Sequence, residues 1–211
     1  VKFSMKEKII LFGGTFDPIH NGHIKVALCA YDKINASKII LIPARRSPHK
    51  QKQPAAADTD RLAMLQLATE NNSKFQISNI ELNRAEPSYT IDTVRQLRLK
   101  YGQDAEFYWL LGSDMLRDLP LWHKINELLD ECCICLMNRG GYEKPDFDSL
   151  KGKLSPENIE KLRRNMIETP LIKISSTEIR EKLLNDEDVS QYLAPKVLDY
   201  IKRRRLYAAK D

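Results

Sequence analysis

Short apolar runs alternate along this chain with longer amphipathic stretches, and most of the runs stop at a glycine or proline. Lys8 to Phe12 reads Lys-Ile-Ile-Leu-Phe and stops at Gly13-Gly14, the pattern of a buried strand. After Asn21, apolar residues recur at Ile24, Ala27, Leu28 and Tyr31, a helical rhythm. Lys38 to Ile42 repeats the strand pattern and is stopped by Pro43, while Ala44 to Ala57, with Pro48 and Pro54, reads as a loop. Asp58 or Thr59 is the expected cap of a helix that turns Leu62, Leu65 and Ala68 inward.

The alternation continues. Phe75 to Ile80 is a third strand, and Ser88 to Tyr101 a helix with Ile91, Val94, Leu97 and Tyr101 on one side and Gly102 as its stop. Glu106 to Leu111 is a strand ending at Gly112, followed by a short helix over Leu121 to Leu129 and a strand over Cys132 to Met137. Gly140 to Thr169 is polar and irregular with some helix inside. Leu171 to Ile174 reads as a last short strand, and helices follow at Ser175–Leu184 and Pro195–Arg205. Strands alternating with helices predict an α/β fold: a Rossmann-like, doubly wound parallel sheet with helices on both faces and a C-terminal helical segment. Residues 1–211 are expected to form a single domain, with 1–5 a flexible start and 175–211 its helical end. Ligands of such sheets bind beyond the carboxyl ends of the strands, and the chemistry-bearing residues here cluster just after strands.

Composition narrows the class. With 42% hydrophobic and 30% charged residues over 211 positions, the chain can bury a sizeable core. It has no run of eighteen apolar residues and no leader pattern, so a cytoplasmic protein that meets no membrane is expected. Three of the four cysteines, Cys132, Cys133 and Cys135, share one apolar run, and no second cluster completes a zinc site. They read as buried, reduced thiols. The formal charge of +5 is densest at Lys202-Arg203-Arg204-Arg205. No aromatic pattern interleaves that run, so it reads as a solvated helix face and not as a nucleic-acid surface.

Two segments carry chemistry. The first is Gly13-Gly14-Thr15-Phe16-Asp17-Pro18-Ile19-His20-Asn21-Gly22-His23. Its glycines let backbone approach a ligand at the end of a strand, and the helix start near Asn21 offers N–H groups to an anion. His20 and His23, three apart, can face one phosphate. The spacing is neither a dinucleotide fingerprint nor a P-loop. The second is Ile174-Ser175-Ser176-Thr177-Glu178-Ile179-Arg180, where Ser175 and Glu178 match a capping box and Ile174 with Ile179 a hydrophobic staple. Helix initiation alone accounts for that pattern. The same geometry also makes a second anion-binding helix start, with the Arg180 fork one turn in.

Taken together, these two segments resemble the nucleotidyltransferase superfamily with the His-x-Gly-His signature. Within it, Ser47-Pro48-His49-Lys50, Pro87-Ser88-Tyr89-Thr90-Ile91-Asp92-Thr93 and Leu111-Gly112-Ser113-Asp114 with Trp122 are similar to the bacterial nicotinate mononucleotide adenylyltransferases, from about Lys8 to Tyr207. The resemblance implies that ATP and nicotinate mononucleotide are the partners, that Mg2+ accompanies ATP, and that no protein metal site is needed. It implies ATP contacts at Gly13, Gly14, Thr15, Phe16, Ser175, Ser176 and Thr177, and phosphate-directed chemistry at His20, His23, Lys50 and Arg180. It implies mononucleotide contacts at His49, Thr90, Gly112, Asp114, Trp122 and His123, with Thr90 N–H on the carboxylate and Trp122 on the pyridine ring. Without the resemblance, a Trp beside Leu121 and Ile125 reads first as a core residue. Ser47 and Gly140 depart from prolines common in the family. Transfer to another phosphate such as phosphopantetheine, and a nucleotide-binding module without turnover, remain alternatives, as do monomer and homodimer.

Overall fold

A computed structural model describes residues 6–45, 53–139, 145–170 and 172–208. Six strands form one parallel sheet: β1 (Lys8–Gly14), β2 (Lys38–Pro43), β3 (Phe75–Ile77), β4 (Glu106–Gly112), β5 (Cys133–Arg139) and β6 (Met166–Thr169). Their order is β3-β2-β1-β4-β5-β6, so the order reverses between β1 and β4. In open parallel sheets the ligand crevice lies at such a junction, here at the carboxyl ends beside Gly14 and Gly112.

The strands are apolar throughout because both faces are covered. Side chains alternate across the pleat: Ile9 and Leu11 enter one core, and Ile10 and Phe12 the other. On the first face lie α3 (Thr90–Tyr101), α4 (Ile125–Glu131) and α5 (Pro156–Arg164), which contribute Ile91, Val94, Leu128 and Leu162. On the second lie α1 (Asn21–Ile34), α2 (Asp58–Thr69), α6 (Ser176–Leu184) and α7 (Pro195–Arg204), with Ala27, Met64, Ile179 and Ile201 inward. Each such large aliphatic side chain contributes about 2 kcal/mol through its burial.

Several expected boundaries move. The last strand is Met166–Thr169 and not Leu171–Ile174: Asn138 pairs with Glu168 and Arg139 with Thr169, and Pro170 then ends the ladder. Ile172 and Ile174 instead pack as extended chain against the second core. The helix expected over Leu121–Leu129 divides into a 3-10 turn at Leu119–Leu121 and α4, because Lys124 takes a left-handed conformation between them. β3 stops at Ile77, three residues short of the expected end. The cap of α2 is Ala57, with Asp58 already its first helical residue, free to pair with Arg61 (2.6 Å). Its inward face is Arg61, Met64 and Leu65, while Leu62 and Ala68 are half-buried. Among the described residues no helix is long and apolar enough to cross a membrane.

Candidate active site

At the reversal point, β1 hands the chain from Gly14 through Thr15 and Phe16 to α1. Phe16 sits at positive φ (49°) and is 2% exposed. Its ring stands edge-on to Phe12 (5.5 Å) and to the His23 imidazole (5.1 Å), so the aromatic core under the loop reaches the first turn of α1. His20 caps α1 and His23 is its third residue. Their rings stack with centroids 3.7 Å apart, and His20 N–H donates to His23 Nδ1 at 3.3 Å. With Nδ1 accepting, Nε2 is left as the ring nitrogen that can donate. Gly22 lies between them, where a Cβ would collide with Ile172 and the His20 ring.

The start of α1 is less open to an anion than the sequence pattern implies. Asn21 N–H donates to Tyr192 O at 2.8 Å, and His23 N–H to His20 O at 2.9 Å. The two imidazoles, and not a row of backbone donors, are therefore what this loop presents.

The second motif docks on the first. Ser176 Oγ donates to Pro18 O (2.9 Å), and Arg180 Nη1 donates to Asp17 O (2.7 Å), across 158 and 163 residues. The capping box forms: Ser175 Oγ accepts from Glu178 N–H (3.2 Å), and Glu178 Oε2 accepts from Ser175 N–H (2.7 Å). Ser175 and Ser176 thus spend their hydroxyls on structure. The Ser176 and Thr177 N–H groups stand outside that box, at the positive end of α6. Arg180 also donates to Thr177 Oγ1 (3.2 Å), which aligns its fork along the helix start.

Across the crevice, α3 begins at Thr90 with Tyr89 as cap and no side-chain cap bond. Asp92 and Thr93 N–H groups bond back to Tyr89 O, beyond the Thr90 and Ile91 N–H groups of the first turn. Exposed His123 stacks on Tyr89 at 4.1 Å. Trp122, half-buried, packs against the first core beside it. Gly112 ends β4, and a Cβ there would strike Asp114 Oδ1, which folds back over the strand end.

The structure therefore brings together Gly13, Gly14, Thr15, Phe16, His20, His23, Ser175, Ser176, Thr177 and Arg180 around the end of β1. Gly112 and Asp114 stand at the end of the adjacent strand β4, and Trp122 and His123 beside Thr90 at the start of α3. His49 and Lys50 lie outside the described residues. Sequence reasoning assigned nothing to three residues that hold this arrangement. Arg61, fully buried, donates to Thr15 O (2.7 Å). Asp17, 3% exposed, accepts from Ala55 N–H (2.7 Å) and Ala56 N–H (3.1 Å). Arg84 donates to Ser88 Oγ (2.8 Å), Thr93 Oγ1 (3.0 Å) and Gln96 Oε1 (2.5 Å), fixing the approach to α3. Glu81 completes that network, accepting from Thr93 Oγ1 at 2.8 Å, and burial pushes its carboxyl up from the ordinary range. An Arg six residues before a helix start, or an Asp before a Pro, carries no periodic signal. Among the described residues no group of three His, Cys, Asp or Glu side chains could hold a metal ion.

Comparison with known proteins agrees with this geometry. A family described as cytidylyltransferase-like matches residues 11–182. A Clostridium tetani protein named "Probable nicotinate-nucleotide adenylyltransferase" is 36% identical over 205 residues, covering 96% of this chain and all of its own length. A Geobacillus thermodenitrificans protein of the same name is 40% identical, over 96% of this chain and 87% of that one. Among solved structures, the Plasmodium falciparum nicotinic acid mononucleotide adenylyltransferase complexed with NaAD superposes with a TM-score of 0.68 at 23% identity, over 95% of this chain and 97% of that one. With the sheet reversing at the paired histidines and the second motif docked on the first, the chain belongs to the cytidylyltransferase-like family, in its nicotinate-nucleotide adenylyltransferase branch.

Proposed function

We propose that this enzyme transfers the adenylyl group of ATP to nicotinate mononucleotide, giving nicotinate adenine dinucleotide and pyrophosphate in NAD biosynthesis. The observation that carries the reading is the docking of Arg180 and Ser176 onto the loop that holds His20 and His23, which gathers phosphate-directed groups from both motifs at one strand end. The mononucleotide phosphate, already an anion at neutral pH, attacks the α-phosphorus of ATP in line, and pyrophosphate leaves on the opposite side. No general base or covalent intermediate is needed, so catalysis is positioning and stabilisation of developing charge. His23 and His20 donate to phosphoryl oxygens, while Arg180 and the first-turn N–H groups of α6 receive the leaving pyrophosphate. Lys50 and His49, outside the described residues, are assigned to this chemistry by their motif alone. Gly13, Gly14, Thr15 and Phe16 floor the nucleotide crevice. Mg2+ enters as part of the MgATP substrate, held by phosphate oxygens and water.

The acceptor is read at the start of α3. Thr90 N–H meets the nicotinate carboxylate at the positive end of the helix, which favours an anion over a carboxamide. Trp122 lies on the pyridine ring with His123 N–H nearby, and Gly112 and Asp114 face the ribose. The same reading has the reaction in the cytoplasm, where unpaired Cys29, Cys132, Cys133 and Cys135 stay reduced. The test is pyrophosphate release with ATP, magnesium and either nicotinate or nicotinamide mononucleotide. The expected result is release that is at least about tenfold faster with the nicotinate form, the size of one charge-assisted hydrogen bond. Equal rates would remove the carboxylate contact, and no release with either would remove the activity.

A further inference from the structure

Tyr207 follows the end of α7 in a left-handed conformation (φ 63°), and its hydroxyl donates to Asp17 Oδ1 at 2.7 Å across 190 residues. The Asp17 carboxylate also holds the Ala55 and Ala56 N–H groups at the entrance to α2. Its backbone carbonyl holds Arg180 Nη1 at 2.7 Å, and that same nitrogen stands 3.9 Å from Asp17 Oδ2. One buried aspartate therefore joins the phosphate loop, α2, α6 and the C-terminal turn.

The arrangement sets up a competition. Arg180 can stay on the Asp17 carbonyl, with its charge left for a phosphate, or close on the Asp17 carboxylate and be neutralised there. A buried carboxylate short of donors draws the nearest cation. The Tyr207 hydroxyl adds a second, shorter donor to Oδ1, beside the Ala56 N–H at 3.1 Å, without bringing charge. Burial, and then the adjacent Asp17 charge, push its pKa well up, so it remains a donor at any working pH. We propose that Tyr207 is a positioning residue for ATP: by satisfying Asp17 Oδ1 it keeps the Arg180 guanidinium on the Asp17 carbonyl and available to the triphosphate. This rests on the role given to Arg180 in the preceding subsection.

The test compares Tyr207→Phe with Tyr200→Phe, which deletes an α7 hydroxyl that is bonded to Asp60 (2.9 Å) and not to Asp17. Steady-state KM values are read from pyrophosphate release, and the ATP dissociation constant by calorimetry, which needs no turnover. Circular dichroism checks that each variant is folded. Tyr207→Phe should raise the KM and the dissociation constant for ATP about tenfold, the worth of one hydrogen bond to a charged group, and leave the KM for nicotinate mononucleotide within about twofold. Tyr200→Phe should move neither. In an Arg180→Ala background, the Tyr207→Phe change should shrink below about twofold, because both act through one group. Unchanged ATP binding in Tyr207→Phe, an equal loss in Tyr200→Phe, or a full tenfold loss that persists without Arg180 would each overturn the proposal. A wild-type chain that releases no pyrophosphate would count against the activity, while the calorimetric comparison would still decide this point.

Discussion

On the proposed ATP side of the crevice, the bonds that hold the site span the chain: Tyr207 to Asp17 over 190 residues, Arg180 to Asp17 over 163, Ser176 to Pro18 over 158. On the proposed mononucleotide side they are local: Thr93 to Glu81 over 12 residues, Arg84 to Thr93 over 9, Arg84 to Ser88 over 4. The first side can assemble only when both halves of the sheet and the C-terminal helices are in place. The second is a helix entrance held mostly within one segment, with Arg45 donating to Arg84 O (3.1 Å) and His123 stacked on Tyr89 from outside it. On the proposed assignment, ATP recognition is tied to the global fold, and acceptor recognition to a mostly local polar network.

The sharpest way to break this comparison is at its centre. His23→Ala should lower turnover by about a hundredfold or more through loss of a donor to the developing charge, with circular dichroism and the thermal midpoint close to wild type. Retained turnover would mean that the paired imidazoles only build the loop. Next is Arg84→Ala, which strips donors from Ser88, Thr93 and Gln96. It should raise the KM for nicotinate mononucleotide about tenfold, with ATP within twofold, and cost about 1–3 kcal/mol in denaturant unfolding because buried acceptors lose their donor. An equal effect on both KM values would show that the two sides are not independent.

The smallest effect is a pH dependence. Burial raises the Glu81 carboxyl in the folded state, against the opposing Thr93 hydrogen bond and Arg84 charge. The folded chain then holds this proton more tightly than the unfolded one, so stability present in acid is lost as pH rises through the raised value. Glu81→Gln keeps the acceptor for Thr93 but cannot ionise. Its thermal midpoint should gain on wild type as pH climbs from the ordinary carboxylate range towards neutrality, and a gap that is constant with pH would show that Glu81 is ionised in the fold.

Most of the framework was legible because strands buried on both faces announce themselves. Ile39 to Ile42 and Phe107 to Leu111 are continuous or nearly continuous apolar runs ended by turn residues. β6 was not, because Met-Ile-Glu-Thr is a four-residue edge strand with only β5 beside it, while the more apolar run after Pro170 pairs with nothing described. The site was legible through its two motifs and their helix starts. The free N–H groups expected at α1 were not borne out at Asn21, whose donor meets Tyr192, a contact 171 positions away that no local spacing encodes. Asp17 and Tyr207 escaped for the same reason. Each looks ordinary in its own segment and gains meaning only from the other.

The packing at the end of β1 also has an optical consequence. The chain has two tryptophans. Trp109 lies edge-on against Gly13, under the floor of the proposed nucleotide crevice, and Trp122 stands beside His123 on the acceptor side. On the proposed assignment each substrate arrives next to its own intrinsic fluorophore, and Trp122→Phe would leave a chain whose emission watches the proposed nucleotide floor alone.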